Sequence, residues 1–274
     1  MFPNQYLRRI SEKSFRGYRK ISFFMKQVLS SVDSFGVQHE EYAERLRRLK
    51  ADGRKIHVTG SFKFDANPPT QIPSWVSVIG RPVIVAGSTH EGEEELMTSI
   101  YTQLRQNFPD INLIIAPRHP ERFGSVEAML RARGIRFLKR SEIPDRQETD
   151  SIHGTIILLD SVGELSAVYG ISTIAIIGKS FRGLGGQNPL EPAYWGVPVV
   201  CGPHMENFPV IEDFYHAGAA IRVNERSLFH TVEELLLSPE KGREIGFNAQ
   251  RMYQQNAGAV ERAMKLIEQY MKVS

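Results

Sequence analysis

Between residues 82 and 223, seven short and mostly apolar runs, PVIVAGST, INLIIAP, IRFLKRS, GTIILLD, STIAIIGKS, VPVVCGP and AAIRV, alternate with stretches of helical character. A strand that is apolar along its length has two buried faces, and a parallel neighbour can be reached only through a crossover, usually a helix. The pattern therefore predicts a doubly wound parallel α/β sheet covered on both sides, occupying residues 76–274. One crossover can be placed closely. In HEGEEELMTSIYTQLRQNF the acidic residues crowd the first turn while Leu96, Ile100 and Leu104 share a face, so a helix is expected from near His90.

The preceding part is thinner. Residues 1–65 offer VDSFGVQ, a helix with Tyr42, Ala43, Leu46 and Leu49 at helical spacing, and KIHVTGSFKFD, a smaller α/β unit. ANPPTQIPSW, residues 66–75, carries three prolines and reads as a linker. A complete partner domain needs roughly 100 to 150 residues, so a further segment is expected in front of Met1.

Composition narrows the function classes. A net charge of +3 is too slight to argue for nucleic acid, and the single cysteine, Cys201, excludes a disulfide framework and suits a reducing compartment. The amino terminus has neither an 18-residue apolar run nor a signal-peptide pattern. It does interleave Arg8, Arg9, Arg16, Arg19, Lys20 and Lys26 with Phe15, Tyr18, Phe23 and Phe24, which suits either packing against the fold or contact with anionic lipid headgroups.

Ligands of open α/β sheets bind beyond the carboxyl ends of the strands, so the turns after them carry the candidates. These are Ser88 to Glu91, Pro117 to His119, Asp160 to Glu164, and the run from Gly178 through Lys179 and Gly183-Leu-Gly-Gly-Gln187-Asn188-Pro189-Leu190-Glu191. Gly183, Gly185 and Gly186 permit positive φ and close approach of backbone N–H groups, Asn188 is a good N-cap and Pro189 a good first helical residue, so a phosphate-accepting helix start is expected. Glu191 at the third helical position can accept from a ribose or reach back as a capping carboxylate. Arg118 can pair with a phosphate or with a surface carboxylate, and Lys179 can meet phosphate or stay solvated. No GxxxxGK[ST] or opening GxGxxG occurs, Ser161 is not in a GxSxG elbow, and His90 and His119 lack metal-ligand spacing.

The run GGQNPLEPAYWGVPVVCGPHMENF, with STHEGEEE, APRHPERF, LLDSVGEL and SEKSFRGYRK, resembles the bacterial 3-deoxy-D-manno-octulosonic acid (Kdo) transferases of lipid A biosynthesis. The resemblance extends from about Ile10 over nearly the whole chain. It implies a two-domain GT-B glycosyltransferase: a remnant of the acceptor-side domain in 1–65, a linker in 66–75, and a nucleotide-sugar domain in 76–274 whose last helices cross back. It also implies transfer of Kdo from CMP-Kdo to a lipid A precursor, with inversion, no required metal and no cofactor. Pro117, Arg118, Val162, Gly163, Glu164, Asn188, Pro189, Leu190 and Glu191 would contact the CMP portion, with Ser88, Lys179, Gly186 and Gln187 as possible additional contacts. The family's general-base glutamate belongs to an earlier segment. Its motif reads much like Ser161 to Glu164, but these residues follow GTIILLD in the second domain, so no catalytic residue is expected in this sequence. The expected location is cytoplasmic, or peripheral on the cytoplasmic face of the inner membrane. A noncatalytic CMP-binding or structural remnant, or a GT-B enzyme using another nucleotide sugar, remains open.

Overall fold

The computed structural model describes residues 12–65, 71–145, 151–183 and 185–271. Arg8 and Arg9 of the basic segment, positions 66–70 of the proline-rich stretch and Leu184 of the glycine loop lie outside the described residues. The chain divides into two compact units, Met1–Ala66 with Gln255–Ser274, and Asn67–Gln254.

In the first unit, β1 (Phe35–Val37) and β2 (Ile56–Val58) pair in parallel around the crossover helix Glu40–Arg48. Tyr42, Ala43 and Leu46 on that helix are buried with Phe15, Leu29, Phe35 and Leu49, as the helical spacing requires. The helix Ala259–Met271 belongs to this unit: the Asp65 carboxylate accepts from the N–H groups of Gly258 and Val260, both at 2.5 Å, and Arg262 Nε donates to the Thr59 carbonyl at 2.9 Å. Helices Glu12–Lys20 and Ser22–Ser30 bury Phe15 and Leu29 but leave Ile21, Phe23 and Phe24 exposed beside Arg19, Lys20 and Lys26. Among the described residues, no helix is long and apolar enough to cross a membrane.

The second unit holds β3 (Val83–Thr89), β4 (Asn112–Pro117), β5 (Phe137–Lys139), β6 (Ile156–Leu158), β7 (Ile174–Ile177), β8 (Val199–Cys201) and β9 (Ala220–Arg222). They form one parallel sheet in the order β5-β6-β4-β3-β7-β8-β9. Alternate residues feed two cores. Ile84, Leu113, Ile115, Leu158 and Ile176 meet Met97, Ile100, Leu104, Leu130 and Leu228 on one face. Val83, Val85, Ile114, Ile157 and Ala175 meet Trp75, Val168, Tyr169 and Val197 on the other. Both faces are dry, which is why the strands read as continuous apolar runs rather than alternating ones. Trp75, read from sequence as the last linker residue, is instead 1% exposed in this second core, and its indole donates to Glu164 at 2.9 Å.

The helix expected from near His90 spans Glu93–Leu104. It starts later because Gly92 adopts φ of 82° and the Glu93 carboxylate turns back to the N–H of His90 at 2.9 Å, which closes a tight turn first.

Candidate functional site

The strand order reverses at β3, which has β4 on one side and β7 on the other, so the loops leaving these strands diverge and open a crevice beyond their carboxyl ends. A cavity of about 270 Å³ lies there, lined by Ser88 at the end of β3, Arg118 after β4, Gly163 after β6, and Gln187, Asn188 and Glu191 after β7. Leu165, Ser166 and Tyr169 complete it. Four sequence-distant turns thus supply six of the residues singled out from sequence. A larger hollow of about 520 Å³ in the first unit is lined by Gly36, Gln38, Thr59, Gly60, Ser61, Phe62 and Lys63. It presents no carboxylate or guanidinium, and the convergence of chemistry favours the smaller crevice.

The loop after β7 is shaped by one buried carboxylate. Glu93 is 0% exposed; its Oε2 accepts from the N–H groups of His90 at 2.9 Å and Lys179 at 2.7 Å, and its Oε1 from Phe181 at 3.0 Å and Arg182 at 3.4 Å. Ser88 and Lys179 both hold positive φ, 55° and 56°, a conformation that costs a non-glycine residue on the order of 1 kcal/mol or more unless its surroundings impose it. Here the surroundings do, because a Cβ on Gly178 would lie 2.3 Å from the Ser88 carbonyl, so the two strand ends meet with no space between them. Next to Glu93, the equally buried Glu94 accepts from Thr89 Oγ1 at 2.7 Å and from both Nη atoms of Arg122 at 2.6 and 3.1 Å. These acidic residues, read as ornaments of the helix start, are interior clamps.

The glycines serve a different end from the one expected. Gly185 and Gly186 do adopt positive φ, at 107° and 66°, whereas Gly183 does not. The Gly186 N–H donates to the Lys179 carbonyl at 3.0 Å, and a Cβ at Gly185 or Gly186 would strike Asn207 or Met205 at 2.2 Å. Their freedom folds the loop back on itself and onto residues 204–207, and Gly186 does not line the cavity. The helix that follows is short, Leu190–Tyr194, one residue later than expected, with Pro189 at its N-cap; Asn188, one residue earlier, accepts at Oδ1 from the Leu190 N–H at 3.1 Å. With only five residues, the helix has little dipole to offer an anion.

Charge at the site comes instead from Arg118. It is exposed, and its guanidinium has no partner among the described residues. Glu191 accepts from Asn188 Nδ2 at 3.1 Å rather than from the backbone N–H of a capping box. Burial raises its carboxyl above the ordinary value of 4.5, opposed by the Asn188 hydrogen bond and the Arg118 charge. His90 stands beside the cavity, 3.2 Å from the Gln187 amide nitrogen and edge-on to the His119 ring at 5.4 Å between centroids. Burial lowers its pKa, so the imidazole is neutral near pH 7.

The remaining sequence-selected residues do not line the cavity. Pro117 is buried at the end of β4, Pro189 and Leu190 are buried under the loop, and Lys179 stands half-buried with its stem against Gly183. Val162 is 77% exposed. The Glu164 carboxylate is engaged by the Trp75 indole, by Arg140 Nε at 3.1 Å and by the Ser161 hydroxyl, so it pins the 161–164 turn that brings Gly163 to the cavity. Tyr169, which sequence reasoning missed, had one signal: Gly87 sits inside an apolar strand, the mark of a close approach, and a Cβ there would lie 1.8 Å from the Tyr169 hydroxyl.

A doubly wound sheet with its crevice at the strand reversal, in a chain that also carries a smaller α/β unit, is of the GT-B glycosyltransferase fold class. A solved glycosyltransferase from Rickettsia africae shares that fold over 97% of this chain and 68% of its own, with a TM-score of 0.55 at 14% identity. The chain is similar to the 3-deoxy-D-manno-octulosonic acid transferases along nearly its whole length. The family model described as 3-deoxy-D-manno-octulosonic-acid transferase (kdotransferase) matches residues 8–66. The transferase of that name from Haemophilus influenzae is 32% identical over 96% of this chain, and that from Bordetella pertussis is 32% identical over 96%. This chain spans only 63% and 62% of those relatives. A crystal structure described as the C-terminal CMP-Kdo binding domain of WaaA from Acinetobacter baumannii matches with a TM-score of 0.58 at 28% identity, covering 67% of this chain and 94% of that one.

Proposed function

We propose that the second unit binds the CMP portion of CMP-Kdo and that the protein to which this chain belongs transfers Kdo to a lipid A precursor, with inversion. The observation that carries the reading is the convergence of Arg118, Ser88, Gln187, Asn188 and Glu191 on one cavity at the sheet reversal, in a chain 28% identical to a domain described as binding CMP-Kdo. The unpaired Arg118 guanidinium is suited to the donor phosphate, whose charge grows as the glycosidic bond breaks. Glu191, a cavity-lining acceptor whose own charge repels phosphate, is suited to sugar hydroxyls. Attack by a deprotonated acceptor hydroxyl on the anomeric carbon expels CMP, and the base for that step is assigned to the part of the relatives that this chain does not span.

Calorimetric titration tests the donor reading. CMP is expected to bind more tightly than UMP, and Arg118→Ala to weaken CMP about 10- to 100-fold without altering thermal stability. A folded chain that binds neither nucleotide overturns it.

We also propose that the first unit meets an anionic membrane surface through Phe23 and Phe24, exposed by 88% and 60%, with Arg19, Lys20 and Lys26 around them. Cosedimentation with anionic vesicles that is lost in Phe23→Ser with Phe24→Ser supports this. Equal sedimentation of both forms refutes it.

A further inference from the structure

Tyr169 is 2% exposed, yet it lines the nucleotide cavity. Its ring lies in the second core of the sheet with Trp75, Val85 and Val168, and its hydroxyl reaches past residue 87, which must be glycine to let it through. Among the described residues that hydroxyl has no hydrogen-bond partner. A hydroxyl that is set in an apolar core, makes no hydrogen bond among the described residues and opens onto a cavity is placed to meet a ligand there. The phenol stays protonated, since burial first and the Glu191 charge second push its pKa well above the ordinary value. It is therefore a donor. Glu191, on the same cavity wall set, is an acceptor whose only side-chain partner among the described residues is the Asn188 amide.

A donor and an acceptor that share a cavity without bonding each other match a ligand group that accepts and donates at once, which is a hydroxyl. A phosphate cannot take this place, because Glu191 would repel it, and an amine would leave the phenol unanswered.

We propose that Tyr169 is a specificity-determining residue whose hydroxyl donates to a ribose hydroxyl of the bound nucleotide while that sugar donates to Glu191, so that the cavity selects ribonucleotides over deoxyribonucleotides. The proposal rests on the nucleotide-sugar reading above. It explains why a tyrosine rather than a phenylalanine stands in an otherwise apolar core, and why β3 carries a glycine at position 87.

The test is calorimetric titration of the chain and of Tyr169→Phe with CMP, 2′-deoxy-CMP and 3′-deoxy-CMP, with a thermal melt of each protein. The unaltered chain is expected to bind CMP about tenfold or more tightly than one of the deoxy analogues. Tyr169→Phe is expected to weaken CMP about tenfold, to leave that analogue's affinity unchanged and so to bring the ratio towards one. Its melting temperature should be unchanged, because the hydroxyl removed makes no hydrogen bond among the described residues and opens onto the cavity. Unchanged CMP affinity in Tyr169→Phe overturns the proposal, as does an equal loss for CMP and both analogues. Should Tyr169→Phe not fold, equal affinity of the unaltered chain for CMP and both analogues overturns it equally well. Failure of the folded, unaltered chain to bind any of the three is the distinct result that removes the nucleotide reading and this proposal with it.

Discussion

The loop that leaves β7 begins at one carboxylate and ends at another, and the two ends are built on opposite principles. At its start, Glu93 is wholly buried and saturated by four backbone N–H groups, so its charge does nothing but hold the strand ends in a strained geometry. At its end, Glu191 is only partly buried, takes one amide hydrogen bond, and faces an unpaired Arg118 and an unpartnered Tyr169 hydroxyl. Saturation makes a scaffold. A shortage of partners, in a cavity that a scaffold keeps open, makes a binding site.

This contrast can be broken by substitution. Glu93→Ala removes the acceptor of four amides and is expected to destabilise the second unit by about 3 to 5 kcal/mol, read as a lowered denaturation midpoint at unchanged slope. Glu93→Gln keeps the shape and one acceptor oxygen but turns an NH₂ group towards two of the donors; a loss of about 1 to 2 kcal/mol is expected. If either variant proves as stable as the parent, Glu93 is not a clamp.

Glu191→Gln should have the smallest effect and the opposite sign. A carboxyl raised by burial binds its proton more tightly when folded, so the folded state holds more protons than the unfolded one, and stability falls as the pH rises from the ordinary value of 4.5 through the raised one. The neutral amide removes that slope. Glu191→Gln should therefore melt no lower than the parent at pH 7, with a flatter stability profile above pH 4.5, while weakening CMP. A steeper profile in the variant would show that the carboxylate is stabilised, not stressed, by its surroundings.

Much of the architecture was legible in the chain. The seven apolar runs became the seven strands of the large sheet, and the helical spacing of Tyr42, Ala43 and Leu46 became a buried face. Both follow from local periodicity, which depends on neighbours a few residues away. The turns after β3, β4, β6 and β7 were readable as the place where ligand chemistry gathers, because parallel topology puts all carboxyl ends on one edge.

The use made of each residue was less legible. Glu93 and Glu94 look in sequence like acidic residues favouring a helix start, and their burial depends on loops that fold over them. The glycines of GLGG promise an open cradle, but Met205 and Asn207 occupy the space they leave. Tyr169 drew no reading from the sequence, and only the passage left by Gly87 carries its hydroxyl to the cavity.

The sequence by itself determined the order and type of the elements, the two dry faces of the sheet and the edge at which a site would lie, since these rest on patterns of period two and 3.6. Tertiary structure decided which carboxylate is satisfied and which is left wanting. Glu93 finds three of its four donors 86, 88 and 89 positions further along the chain, a distance over which periodicity carries no information and only the meeting of β3 with β7 can bring donor to acceptor.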